Sequence, residues 1–154
     1  MSEHFATTKW SRMPSRLHDG TYDRNHTSHL NGEQVLRVSA SEEFKGDPEC
    51  ADPEQLLVTA VSSCHMLTFL AIAEFQGFQV KSYVDEAVGV LGKTEEGGMA
   101  VTSIRLSPFV VFDGEKQPGA AALARLHSAA HRNCFIRASL RTDVQVLPHT
   151  TDCN

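Results

Sequence analysis

Asp52-Pro53-Glu54-Gln55-Leu56-Leu57-Val58-Thr59-Ala60-Val61-Ser62-Ser63-Cys64-His65-Met66-Leu67-Thr68-Phe69-Leu70-Ala71-Ile72-Ala73 is the stretch on which the fold turns. A helix start is written at its front: Asp52 can cap, Pro53 suits the first helical position, and Gln55 stands at the capping-box distance from Asp52. Glu54 falls in the first turn, where the helix dipole favours a carboxylate. From Leu56 onward apolar residues run nearly all the way round, which predicts a buried central helix over about residues 53–76 that stops at Gly77. Cys64 lies near its middle, either as an inert small hydrophobe or as a protected reactive thiol.

Around this helix, the 154 residues read as a single domain, 1–154, with room for a real core. Hydrophobic residues make up 41% and charged residues 21% of the chain, the balance of a folded globular protein. The formal net charge of −5 argues against nucleic acid or an anionic membrane as main partner. No apolar run is read as reaching transmembrane length, and Met1-Ser2-Glu3-His4 lacks a signal-peptide hydrophobic region, so a cytoplasmic location is expected. The cysteines at 50, 64, 134 and 153 form no CxxC pair, which argues against static structural disulfides in that compartment.

Upstream of the helix, an N-terminal β-meander is expected over about 3–40. Its pieces are a strand around Phe5–Ser11, a weak strand over Tyr22–Leu30, the hairpin turn Asn31-Gly32, and Gln34–Ala40 with Leu36, Val38 and Ala40 on one face. Glu42–Ala51 reads as a loop. Downstream, a β-hairpin is expected over about 79–112. In it Val80, Val84, Val88 and Val90 share one face, Glu95–Gly98 turns, and Ile104, Leu106, Val110 and Phe112 face inward, with Pro108 at an edge or bulge. A second helix follows over about 118–132 with Ala122, Leu123 and Leu126 as its stripe, then a strand over about 136–147. This order predicts an α+β fold with antiparallel sheets around the helix, in two layers, and not a βαβ dinucleotide fold. No glycine-rich phosphate loop follows a strand, so no nucleotide or other cofactor is expected. A helix apolar on all sides needs more cover than one short helix and two small sheets provide, which predicts an obligate homodimer.

Buried cysteines are mostly packing residues. Cys64 and Cys134 together carry more weight, because each sits at an element with core residues; they read as an attacking and a resolving thiol, or as two metal ligands. A thiol attacks only as thiolate, and bringing it from ~8.5 to about 6 takes about 3 kcal/mol of differential stabilisation. Cys64 is too far from the helix N-terminus to draw this from the dipole, so a fixed guanidinium is needed, held by a carboxylate. Arg12, Arg16, Arg24 and Arg37 are the candidates.

Asp52-Pro53-Glu54-Gln55-Leu56-Leu57 with Cys64 ten residues after Glu54 resembles the signature of the OsmC/Ohr family, the osmotically inducible and organic hydroperoxide resistance proteins. Ala130-His131-Arg132-Asn133-Cys134 is similar to that family's second cysteine motif, and the element order matches along nearly the whole chain. The resemblance implies an intertwined homodimer that reduces organic hydroperoxides, with the sites at the subunit interface. Carried over, Cys64 is the attacking thiol, Cys134 the resolving thiol, Glu54 the orienting carboxylate and Arg24 the arginine. A lipoyl-type dithiol is the implied reductant. Tyr22-Asp23-Arg24-Asn25-His26 replaces the family's glycine-flanked arginine, and His65 and Phe135 also depart from the best-known members. At about 1.5 Å per residue, Glu54 and Cys64 of one helix are roughly 15 Å apart. Two antiparallel helices crossing near Thr59, where Ala60, Ser62 and Ser63 are small, would set Glu54 of one chain beside Cys64 of the other.

Two rival readings come from other residues. His127, His131 and Cys134 follow at helical spacings of four and three, and with Cys64 they make a zinc-type donor set. A dimeric small-molecule binder without turnover is the other. Cys50 reads as a loop cysteine that could resolve in place of Cys134, Cys153 as part of a tail, His26 and His29 as a solvated strand face, and Trp10 as a packing residue.

Overall fold

The computed structural model describes residues 1–149, so Cys153 lies outside the described residues. The chain divides into two compact units, Met1–Leu56 and the remainder from Leu57.

In the first unit, β1 (Thr7–Lys9), β2 (His26–His29) and β3 (Val35–Val38) form an antiparallel sheet in that order. This is the expected meander with shorter strands. Asn31-Gly32 turns as expected, with Gly32 at φ 65° inside a 3-10 turn, a conformation that glycine adopts without steric cost. Leu36, Val38 and Ala40 face inward as their alternation predicts, and Val38 is fully buried. The loop after β3 is tied down by buried Ser39, whose hydroxyl accepts from the Asp47 N–H at 3.1 Å, while Asn25 donates to the Asp47 carboxylate at 2.7 Å. Gly46 closes this loop so tightly that an added Cβ would stand 1.6 Å from the Ala40 carbonyl oxygen. Gly46→Ala is therefore expected to destabilise the protein by at least about 2 kcal/mol, because backbone, unlike a flexible side chain, cannot give way. An unchanged urea midpoint would contradict this.

Helix α1 runs Pro53–Phe75. Its capping box forms as read: the Gln55 N–H donates to the Asp52 carboxylate at 2.7 Å, and the Asp52 N–H to the Gln55 side chain at 3.1 Å. At its end Gly77 takes φ 78°, and Phe78 donates its N–H back to the Ala73 carbonyl at 2.9 Å, a Schellman closure. By length and composition α1 is apolar enough to cross a membrane, which corrects the expectation that no run reaches that length. Its buried residues recur every four: Val61, His65, Phe69 and Ala73. The helix is thus not covered all round. Within one chain Leu67 is 60% and Phe75 92% exposed.

The expected hairpin over 79–112 is bent into two ladders. β4 (Gln79–Asp85) pairs with β7 (Pro108–Asp113), and β5 (Val88–Lys93) with β6 (Met99–Leu106), all antiparallel. Asp85 holds the bend. One carboxylate oxygen accepts the Ser107 N–H at 2.6 Å, and the other accepts the Ser62 hydroxyl of α1 at 2.5 Å. A register shift between Val80 and Ser82 reverses the faces beyond it. Val80 and Tyr83 pack inward, whereas Val84, Val88 and Val90 are about half exposed, so Val80 does not share the one face expected of the four valines.

Helix α2 spans Ala120–Asn133. The strand expected over 136–147 is corrected: Phe135–Ala138 is a short helix, α3, and only Asp143–Val146 is strand, β8. Cys134 caps α3, its sulfur accepting the Arg137 N–H at 3.4 Å, so the chain turns at once into a helical coil. β8 lies beside β6 in parallel, an exception to the expected antiparallel sheets. Two core clusters result. Val61, Ile104, Leu106 and Val144 join α1 to the β5–β6–β8 sheet, and Phe69, Ala73, Leu126 and Ala130 join α1 to α2. His65 stands between them on the buried stripe of α1.

Candidate active site

Cys64 is half-buried on α1, one turn after Val61. Cys134, at the junction of α2 and α3, is 1% exposed and leans over the same turn, its thiol 4.0 Å from the Val61 carbonyl oxygen. Cys64 is near enough to act on the titration of Cys134, and both cysteines are free thiols. Burial, and then the neighbouring Cys64, push the Cys134 thiol up to about 11, against a weaker pull from the Arg137 N–H. Cys134 is thus held as a neutral thiol beside Cys64. Cys50 belongs to the first unit, where burial and the Asp47 carboxylate raise its thiol as well.

Arg24 and Glu54 both belong to the first unit. Among the described residues the Arg24 guanidinium does not meet Glu54. It donates to the Tyr22 carbonyl at 3.0 Å and lies over the Tyr22 ring at 4.6 Å, while Arg12 approaches the same ring at 5.8 Å. Trp10 stands edge-on to Tyr22 at 5.7 Å and donates its indole N–H to the Asp23 carbonyl at 2.8 Å. These side chains, with His26, line a cavity of about 500 Å³. Trp10, read as a packing residue, is 47% exposed here and forms one of the cavity walls. The role of Tyr22 between two guanidiniums was not anticipated; its place beside Arg24 in the sequence was the available signal.

The zinc-type set is not gathered: among the described residues no three His, Cys, Asp or Glu side chains converge to hold a metal ion. His127 instead faces His65, ring parallel to ring within 3° at 5.6 Å, with His65 Nε2 and His127 Nδ1 3.3 Å apart. Phe69 closes on His127 at 4.4 Å. Burial pushes both imidazoles down to about 4, with Asp85 pulling His65 back, His131 opposing the charged form of His65, and His65 opposing that of His127. This pair spans 62 positions of sequence, and no local pattern announces it.

The OsmC-like protein family model matches residues 46–147. An OsmC-like protein of unknown function from Vibrio cholerae is 42% identical, with a TM-score of 0.90, covering 97% of this chain and 100% of that one. An organic hydroperoxide resistance protein of Bacillus subtilis shares the fold at 17% identity and a TM-score of 0.70, covering 96% of this chain and 98% of that one. The uncharacterised protein YmaD of Bacillus subtilis is 25% identical over 116 residues, 75% of this chain and 77% of its own length. The double-cysteine arrangement on an α+β frame thus accompanies a match over most of the sequence, and the chain belongs to the OsmC-like family.

Proposed function

We propose that this protein is a cytoplasmic, cysteine-based hydroperoxide reductase acting on organic hydroperoxides. The observation that carries the reading is the placing of half-buried Cys64 and buried, neutral Cys134 as neighbouring free thiols. The Cys64 thiolate attacks the terminal peroxide oxygen; the O–O bond breaks, and the alkoxide leaves and takes up a proton as the alcohol. The sulfenic acid on Cys64 then condenses with the Cys134 thiol, releasing water and leaving a disulfide. The two thiols are neighbours, so the bridge joins a side chain on α1 to one at the α2–α3 junction beside the same turn. A dithiol of lipoyl type returns both thiols by exchange and leaves as its own disulfide. Mass spectrometry after one equivalent of cumene hydroperoxide tests this: a Cys64–Cys134 bridge is expected, and Cys64 left reduced while other thiols oxidise would defeat it.

The thiolate is stabilised in this reading by Arg24, oriented by Glu54, at a site completed by a second copy of the chain. Support comes from the ten-residue spacing of Glu54 and Cys64 on one helix and from the uncovered Leu67 and Phe75 of α1. Two outcomes follow. Arg24→Gln is expected to lower kcat/KM for cumene hydroperoxide about 100-fold, the scale of one lost charge-stabilising group. Arg12→Gln and Arg37→Gln should change it less than about threefold; an equal loss in Arg12→Gln would move the assignment to Arg12. Sedimentation velocity should give a dimer, and Leu67→Glu should shift it to monomer.

A further inference from the structure

A second cavity, of about 450 Å³, lies against α2 and β8, in the size class of small-molecule pockets. One wall is polar: His127, Ser128, His131 and Arg132 lie on a single face of α2, at helical spacings of one, three and one. The other wall is apolar. Val144 and Val146 alternate along β8 and so point to the same side of it.

We infer that this cavity binds a small organic anion, an apolar body carrying one carboxylate. Charge argues for the sign. Arg132 is the fixed cation of the lining, and burial first, then Arg137 and Arg132, hold His131 away from its charged form, with Asp143 opposing. Between Glu115 and Asp143 the sequence has no carboxylate side chain, while Lys116, Arg125, Arg132, Arg137 and Arg141 all fall there, in a chain whose net charge is −5. One guanidinium among neutral imidazoles matches one negative charge, and the valine wall matches an apolar body.

An independent observation points to an occupant. His127 is 4% exposed, gives its Nδ1 to the contact with His65, and leaves Nε2 buried with no hydrogen-bond partner. Buried ring nitrogens are seldom left unmatched, since each costs about 1–3 kcal/mol. His127 is also one of the residues lining the cavity, so a carboxylate seated between Arg132 and Ser128 would bring an acceptor beside it. Neither Cys64 nor Cys134 lines this cavity, and the inference is independent of the hydroperoxide chemistry.

Titration calorimetry and histidine side-chain NMR on the full chain test it, with sodium octanoate, octanamide and inorganic phosphate as probes. Octanoate should bind once per chain and shift the ring signals of His127 and His131. Octanamide should bind at least about tenfold more weakly, as should octanoate to Arg132→Gln, a surface change whose folding is checked by its melting temperature. The Cys64→Ser/Cys134→Ser protein should bind octanoate as the parent does. The inference is overturned by octanoate leaving the His127 signals unmoved, by undiminished binding to Arg132→Gln, by lost binding in the double cysteine variant, or by phosphate binding as tightly as octanoate.

Discussion

Cys64→Ser is expected to abolish catalytic peroxide consumption, a fall of at least about 1000-fold in kcat/KM with cumene hydroperoxide and a dithiol reductant, because a serine hydroxyl offers no accessible anion for the attack. Cys134→Ser should behave differently. Cys64 would still be oxidised in the first turnover, so one equivalent of alcohol should appear at the parent's rate. The sulfenic acid would then persist, detectable with dimedone, and turnover should fail at the second cycle. The contrast follows from the surroundings: Cys134 is buried, held neutral, and a neighbour of Cys64, which suits a resolving thiol and not an attacking one. Loss of the first-turnover burst in Cys134→Ser, with Cys64→Ser retaining it, would exchange the two roles. No peroxide consumption above the uncatalysed rate in the parent, as in both variants, would leave a binding protein of the same fold.

The second large effect concerns acid. Folded His65 and His127 hold their protons only near pH 4, whereas in the unfolded chain they titrate near the ordinary 6.5. Above 6.5 both states are neutral at these rings and pH has no leverage through them. From 6.5 down to about 4 the unfolded chain takes up protons that the folded chain refuses, so stability present at neutral pH is lost. Each histidine contributes about 3 kcal/mol over that window at roughly 1.4 kcal/mol per pH unit, together a large share of a total stability of about 5–15 kcal/mol. Urea unfolding at fixed protein concentration should therefore show stability falling steeply between pH 6.5 and 4. His65→Leu/His127→Leu should flatten that slope, whatever it does to stability at pH 7. A slope unchanged in the double variant would assign acid sensitivity elsewhere.

Legibility in the sequence followed the range of the interaction concerned. The capping box of Asp52 and Gln55, the stop at Gly77 and the turn at Asn31-Gly32 are settled within a few residues, and each formed as read. The shared face of Val80 and Val84 breaks at Lys81, where one irregular pairing within β4 leaves Val80 against the core and Val84 exposed. Ile136, Ala138 and Leu140 alternate like a strand, yet the sulfur of Cys134 turns the first of them into a helix. Cys64 and Cys134 could be nominated by family likeness and by position, whereas their nearness depends on how α2 lies along α1. The His65–His127 pair was out of reach altogether. Its members looked like a residue beside a cysteine and a residue on a helix face, and only packing across the core makes them one unit.

That unit has a property that neither ring has alone. A single hydrogen bond joins two neutral imidazoles, so one ring must donate and the other accept. If His65 Nε2 carries the shared proton, its own Nδ1 is bare and His127 Nε2 holds a hydrogen. If His127 Nδ1 carries it, both outer edges switch at once. Whatever meets the pair on one side thus dictates the tautomer presented on the other, and a proton accepted at one outer nitrogen can be released from the opposite one without any side chain moving.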